Sequence, residues 1–298
     1  MSVAYMRAYH SIHATDKIFD DYLAYDLISE EKRTLIEQYW IEQCWTWDQQ
    51  LNDTEGTESC LDPKIISEFL IQGISNVVSR ARYAEDILEK AVKQGVKQYV
   101  ILGAGMDTFA FRQSEMMKHL EVFEVDHPAT QEFKLHRLAE LGWKHPPKLH
   151  FIPIDFTKES LITELNSSSS YDPKAKTFFS WLGVTYFLIR DKVFTTLRSI
   201  AEVAPAGSTV IFDYLDTNAL IPEKMSPKMQ ESLEFLRNIG EPMISDFNPS
   251  TLDEDLSSLG FNLHENLSPA DIEERYFQGR TDGYHTQEHG YFACAVVK

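Results

Sequence analysis

Between Thr15 and Gln50 apolar residues recur at helical spacing, Ile18, Tyr22 and Leu23 in one set and Leu35, Ile36, Tyr39 and Trp40 in a second. Ser29 stands between the sets as a candidate N-cap, so the pattern predicts two helices. The polar, glycine-containing stretch from Asn52 to Ser59 reads as a loop. Asp62-Pro63 then opens a helical pattern towards Ile74, and a further helix is expected over Val77 to Lys93. Beyond Gly95 the period changes. Short apolar runs fall at Gln98–Leu102, Glu121–Val125, Leu149–Ile154, Thr177–Leu182 and Ser208–Tyr214, with helical stretches between them. Pro128 starts a helix reaching Leu141, and Asp191 to Val203 forms another that ends before Pro205 and Gly207. Asn262–Glu265 and Tyr291–Val297 supply two closing strands.

Strands alternating with helices predict an α/β protein with a doubly wound, mostly parallel sheet. Asp216 to Asp246 breaks the alternation; rich in Met, Pro and charge but helical in period, it is expected to join the N-terminal helices as a lid. The organisation expected is a helical cap over residues 1–60 and a core over 61–298 that carries a lid insertion at 216–250. Ser167 to Ser170 reads as a flexible loop, and no internal repeat is visible.

A chain of 298 residues with 43% hydrophobic content can bury one large core, so a single catalytic unit is expected. With 28 basic against 46 acidic side chains, the net charge of −18 repels phosphate backbones and anionic lipid at long range. Nucleic acid and membrane partners are therefore not expected. Cys44, Cys60 and Cys294 lie far apart with no paired spacing, which suggests neither a disulfide framework nor a zinc site. The first twenty residues contain no apolar signal core, and the nearly apolar run Phe178 to Ile189 is too short to span a bilayer. A cytoplasmic protein follows; its oligomeric state does not.

The strongest chemical signal is Val100-Ile101-Leu102-Gly103-Ala104-Gly105-Met106-Asp107-Thr108, a hydrophobic strand running into a GxG turn. Two glycines let backbone N–H groups approach a ligand at the carboxyl end of a strand, where open α/β sheets bind cofactors. Standing alone, the pair would be an ordinary tight turn. About twenty residues on, however, Asp126 ends the second strand, where a carboxylate can accept from both hydroxyls of an adenosine ribose. Its other reading is a helix N-cap before Pro128. Asp155-Phe156 follows the third strand, suited to the adenine amine and ring face, or alternatively to capping the next helix.

A dinucleotide fingerprint wants a third small residue where this chain has Thr108, and a diphosphate would be repelled by Asp107. S-adenosylmethionine carries no phosphate but does carry a cationic sulfonium and ammonium, so an acidic residue beside the bend suits it. The charge argument favours that methyl donor.

Arg80-Ala81-Arg82-Tyr83, then Ile101 to Thr108, then Phe123-Glu124-Val125-Asp126-His127-Pro128, then Ser180-Trp181-Leu182-Gly183-Val184-Thr185-Tyr186-Phe187-Leu188 resemble the successive motifs of the leucine carboxyl methyltransferase family. Order and spacing match from about Thr15 to the C-terminus, and the likeness is greatest to the bacterial branch of small-molecule O-methyltransferases. The resemblance implies a class I methyltransferase (Rossmann-like) seven-stranded, mostly parallel sheet with helical caps, and S-adenosylmethionine as cofactor. By position it implies Arg80 on the methionine carboxylate, or Arg82 in its place. It also implies Gly103, Ala104 and Gly105 under the methionine arm, Asp126 on the ribose and Asp155-Phe156 on the adenine. A planar guanidinium is matched to a carboxylate fork, although either arginine could be a surface charge on a helix. Many members carry Glu where this chain has Leu182, which removes a possible contact and separates it from protein-carboxyl activity. Trp181 and Tyr186 are candidate walls of the site, or core.

Methyl transfer to a small-molecule carboxylate needs no base, whereas transfer to a hydroxyl is helped by one. Tyr186, His127 and the 284–289 loop are candidates for that role, and Trp40, Trp45, Trp47, Met225, Met229 and Phe235 for the wall of an apolar acceptor pocket. His285-Thr286-Gln287-Glu288-His289 matches an inverted zinc-protease signature, but Gly283 and Gly290 bracket it too closely for the helix such a site needs. Two readings remain beside the methyltransferase: a nicotinamide-dependent oxidoreductase, and a protein that binds S-adenosylmethionine without turnover.

Overall fold

The computed structural model describes residues 1–51, 68–156 and 158–298, with the side chains of 41–51, 68, 69, 228 and 231 outside the description. The seven runs expected to be strands all pair. They are β1 (Gln98–Leu102), β2 (Glu121–Asp126), β3 (Leu149–Pro153), β4 (Thr177–Trp181), β5 (Thr209–Leu215), β6 (Phe261–Leu267) and β7 (Gly290–Val297). They form one sheet in the order β3-β2-β1-β4-β5-β7-β6, parallel throughout except for β7, which runs antiparallel to both of its neighbours. The doubly wound, mostly parallel sheet is thus present as expected. Every residue of β1, β4 and β5 is buried, the signature of parallel strands covered on both faces.

Alternation along the strands divides the core in two. Val100, Leu102, Phe179 and Phe212 face one side, against Leu165 of α8 (Leu161–Ser167), Leu197 of α9 (Arg190–Val203) and Leu256 of α11 (Leu252–Ser258). Tyr99, Ile101, Phe178 and Ile211 face the other, against Leu88 of α4 (Glu68–Lys93), Phe109 of α5 (Phe109–Arg112) and Ile272 of α12 (Pro269–Tyr276). The order reverses between β1 and β4, and ligands of open α/β sheets bind above the carboxyl ends at such a switch point.

The N-terminal region departs from the expected pair of helices. A helix not foreseen, α1 (Ser2–His13), buries Ala4, Tyr5, Ala8 and Tyr9. Thr15 to Leu23, expected to be helical, is a series of bends before the single turn α2 (Ala24–Leu27). A bend there carries Phe19 and Asp21 into the interior, and His10 Nε2 accepts from the Ile18 N–H at 2.9 Å. Ser29 does precede α3 (Glu30–Leu51), its hydroxyl accepting from Lys32 N–H at 3.4 Å. From Glu68 onwards α4 is continuous through Ile74 and Val77, where two helices were expected. The loop at 52–59, the Asp62-Pro63 start and the 60/61 boundary lie outside the described residues.

The single turn α6 (Ser114–Met117) precedes β2, and the longer α7 (Pro128–Glu140) joins β2 to β3. Between β5 and β6 the chain forms α10 (Pro227–Asn238), capped by Ser226 Oγ, and returns so that Phe247 N–H meets Leu215 O at 2.9 Å. Tyr39 of α3 and Phe235 of α10 bring their rings to 5.5 Å, so the two helical regions meet above the sheet. No helix among the described residues is long and apolar enough to cross a membrane.

Candidate functional site

At the end of β1 the chain turns at Gly103, with φ +71°, and at Gly105, with φ +53°. These left-handed conformations are ones that only glycine adopts freely. At Gly103 there is a second reason, since a Cβ would lie 2.7 Å from Val184 Cγ2. Gly103 and Ala104 both donate to Val125 O, at 2.8 and 3.2 Å, which ties the bend to β2. Above it opens a cavity of about 1060 Å³. One drug-sized ligand needs about 300–1,000 Å³, so a cofactor and a small second substrate fit together.

The far wall is one face of α4: Gly73, Asn76, Val77, Arg80, Ala81 and Ala84 all line the cavity. Their spacing of three and four residues is that of a single helical stripe. Arg80 is on this stripe and Arg82 is not. Arg82 lies about half exposed and pairs with Asp86 one turn along, so the structure does not bring it to the cavity.

Arg80 is 6% exposed, and its Nη1 donates to the Tyr186 hydroxyl at 2.8 Å and to Asp213 Oδ2 at 3.0 Å. Asp213 had no place in the sequence reading. Its other oxygen accepts from Gly183 N–H at 2.7 Å. The Tyr186 phenol is pushed further above its ordinary range, chiefly by burial, so it keeps its proton at neutral pH.

Asp126, at the tip of β2, folds onto the bend, where Gly105 N–H donates to Oδ2 and His127 N–H to Oδ1 at 2.5 and 2.6 Å; it holds the bend from just outside the cavity and does not line it. The helix-capping alternative for Asp126 is corrected by this geometry, because the N-cap of α7 is His127, whose Nδ1 accepts from Ala129 N–H at 3.3 Å. His127 is exposed and lies off the cavity wall. Asp155 follows β3, where it pairs with Lys158 at 2.7 Å, and Phe156 packs against the core; neither lines the cavity. Trp181 does not wall the site either. It is fully buried on β4, on the sheet face away from α4, with no hydrogen-bond partner for its indole N–H among the described residues. Leu182, one residue on, does reach the cavity.

Several groups that fix the bend were not foreseen. Lys134 of α7, 1% exposed, pairs with buried Glu124 and donates to the backbone O of Asp107 at 2.6 Å. Burial raises the Glu124 carboxyl to about 7, against the pull of Lys134. On the cap side, Arg7 donates to Asp21 at 2.8 Å and to Met106 O at 2.7 Å. Thr108 Oγ1 donates to Asp21 at 2.6 Å, and Arg112 joins Thr108 to Glu85. The Asp107 carboxylate accepts from Phe109 N–H at 2.7 Å; the residue lines the cavity and forms no ion pair among the described residues, with the charge of Arg112 on the same wall within electrostatic reach.

The zinc-like stretch is not helical and anchors residues 216–250 instead. His289 Nδ1 lies 3.0 Å from Asp216, and Glu288 accepts from Ser226 N–H at 3.0 Å. His285 is turned to Gly283 O.

The sequence profile of leucine carboxyl methyltransferases matches residues 1–201. The chain belongs to the leucine carboxyl methyltransferase family. YktD of Bacillus subtilis strain 168, provisionally named an S-adenosyl-L-methionine-dependent methyltransferase, is 36% identical over 99% of this chain and 96% of its own. A similarly named protein of Mycolicibacterium smegmatis is 30% identical over 51% of this chain and 49% of its own. Among solved structures, a DUF574 family protein of Streptomyces avermitilis superposes with a TM-score of 0.55 at 13% identity, covering 86% of this chain and 97% of that one. A protein of Thermobifida fusca provisionally titled a methyltransferase gives 0.55 at 14% identity, covering 98% and 94%. At these identities the two structures speak for the fold alone. The family member described here therefore has the class I methyltransferase architecture, with its cavity at the switch point of the sheet.

Proposed function

We propose that the protein is an S-adenosylmethionine-dependent O-methyltransferase acting on a carboxylate or hydroxyl of a small molecule. The observation that carries this reading is the glycine bend opening onto a cavity lined by a buried arginine and by an acidic residue that forms no ion pair among the described residues. This is the charge pattern of a zwitterionic, phosphate-free nucleoside. Arg80 would hold the methionine carboxylate with the part of its fork left over from Tyr186 and Asp213, and Asp107 would face the ammonium. Gly103, Ala104 and Gly105 would admit the methionine arm closely, and Asp126 would take the ribose while keeping its hold on the bend. By position the adenine would fall to Asp155 and Phe156, which follow β3 outside the cavity lining.

When bound, S-adenosylmethionine supplies a methyl group on a sulfonium, transferred by in-line displacement to an oxygen of the acceptor. The chain's own contribution is to align the two and exclude water. Tyr39, Trp40, Phe235 and Met243 give the cavity an apolar roof for the acceptor, with the described N-terminal helices as cap and 216–250 as lid; Met225 and Met229 pack with Leu215 and Leu233 instead, and the side chains of Trp45 and Trp47 lie outside the described residues. Tyr186 keeps its proton and receives a hydrogen bond from Arg80, so it acts by position and not as a base. The Thr108 hydroxyl is committed to buried Asp21, in the place where a dinucleotide site would need a small residue.

Calorimetry with S-adenosylmethionine and with S-adenosylhomocysteine tests the cofactor. Saturable binding is expected, with a loss of about tenfold or more in Asp126→Ala, since hydrogen bonds to a charged group contribute about 1.5–3 kcal/mol. Incubating a methyl-labelled donor with small-molecule extracts tests the transfer. Absence of binding to the wild-type protein removes the reading; binding with no labelled product leaves a binding protein.

A further inference from the structure

Among the groups that function has not absorbed, the most constrained is Asp213. We propose that Asp213 is the positioning residue that aims Arg80 at the carboxylate of the cofactor, so that this buried strand residue sets selectivity for the amino-acid arm. The inference rests on the reading of Arg80 given above.

Three contacts support it. Asp213 is 3% exposed, and its two carboxylate oxygens are divided between Arg80 Nη1 at 3.0 Å and Gly183 N–H at 2.7 Å. The carboxylate therefore joins β5, the turn after β4 and the cavity face of α4. Gly183, with φ +72°, lies against the guanidinium itself: a Cβ there would come 2.5 Å from Nη2 and 2.9 Å from Cζ. The plane of Arg80 is thus fixed on one side by the Gly183 backbone and at one nitrogen by Asp213 and the Tyr186 hydroxyl.

Among the described residues Arg80 makes no further hydrogen bond, so its remaining N–H groups are those available to a ligand. A guanidinium recognises a carboxylate through a planar fork, and its value depends on that plane being held in advance. Burying Arg80 without an anion would be costly, and Asp213 offsets this before any ligand arrives. A second carboxylate can then bind without the arginine having to move.

The test compares two ligands of the full-length protein by calorimetry. S-adenosylhomocysteine carries the amino-acid arm; 5′-methylthioadenosine lacks it and keeps the nucleoside. Asp213→Asn keeps the shape and an acceptor for Gly183 N–H but turns an amide towards Arg80. S-adenosylhomocysteine is expected to weaken by about tenfold or more, and 5′-methylthioadenosine to stay within about twofold. Equal weakening of both ligands, or of neither, overturns the proposal, because a merely structural role does not distinguish them. If Asp213→Asn does not fold, Asp213→Glu carries the same test, since it keeps the charge but moves the carboxylate by one methylene; a loss confined to S-adenosylhomocysteine is the expected result and an equal loss of both ligands the refuting one. A wild-type protein that binds neither ligand refutes the cofactor reading instead.

Discussion

The glycine bend makes a quantitative prediction at Gly103. In Gly103→Ala two costs add. The backbone sits at φ +71°, and holding an alanine in the left-handed region costs about 1–2 kcal/mol. The new Cβ would also lie 2.7 Å from Val184 Cγ2, where carbon atoms at ease stand about 3.5–4.0 Å apart. Relieving that overlap means moving Val184 or the bend by roughly 1 Å, and overpacking of this kind costs about 1–3 kcal/mol. Together these give about 2–5 kcal/mol, or a fall in melting temperature on the order of 10 °C for a domain of this size.

The two costs separate in a double variant. Val184→Ala removes the methyl in the way but cannot change the backbone conformation. Gly103→Ala/Val184→Ala should therefore recover the steric part, leaving only about 1–2 kcal/mol beyond Val184→Ala alone. Thermal unfolding of the four proteins measures this directly. If Gly103→Ala melts within about 1 °C of wild type, or if Val184→Ala recovers nothing, the bend is not held as described.

Arg82→Ala and His127→Ala should each leave cofactor affinity and turnover unchanged, because neither side chain reaches the cavity. Arg82→Ala should shift stability by no more than about 0.5 kcal/mol, and His127→Ala by about 1 kcal/mol; a loss of binding in either variant would move the site. Glu124 supplies a pH dependence of defined sign. Its folded-state value is raised from 4.5 to about 7, so its contribution to stability is complete below 4.5 and is lost as the pH rises through 7. Melting temperatures of wild type and Glu124→Gln should therefore converge or cross over that interval, the wild type falling more steeply with rising pH; parallel profiles would refute the assignment.

The sheet and the bend were legible because each left a local signature. Six of the seven strands were visible as apolar runs and β6 as the mixed stretch Asn262–Glu265, and Gly103 and Gly105 lie where a turn needs positive φ. Helix α1 was not legible. Its buried positions are Ala4, Tyr5, Ala8, Tyr9, His10 and Ser11, a set with no aliphatic stripe, and it is packed by α4, a partner far away in the chain. The choice between Arg80 and Arg82 was open in sequence but is decided by helical phase, since 73, 76, 77, 80, 81 and 84 share a stripe. Asp213 left a signal that the motif reading passed over. An acid in the middle of Thr-Val-Ile-Phe-Asp-Tyr-Leu, on a strand buried on both faces, must be paired with something. The same reasoning applies to Glu124 within Glu-Val-Phe-Glu-Val-Asp.

These buried charges have a common address. A buried ion pair is weak evidence for stability, because apolar residues of similar volume often do as well or better. Here each pair holds part of the cavity wall. Lys134, paired with Glu124, grips Asp107 O from beneath the bend; Arg7, paired with Asp21, grips Met106 O from the cap side; Asp213 grips Gly183 N–H and Arg80. The bend is thus fixed from both sides by charge-assisted hydrogen bonds to its own backbone. A ligand with separated charges is best met by groups that need no rearrangement when it arrives, so the desolvation cost of these ions is borne where it yields preorganisation. This explains why the ionic groups of the interior gather at the carboxyl end of the sheet, around a turn that two glycines alone would leave free to move.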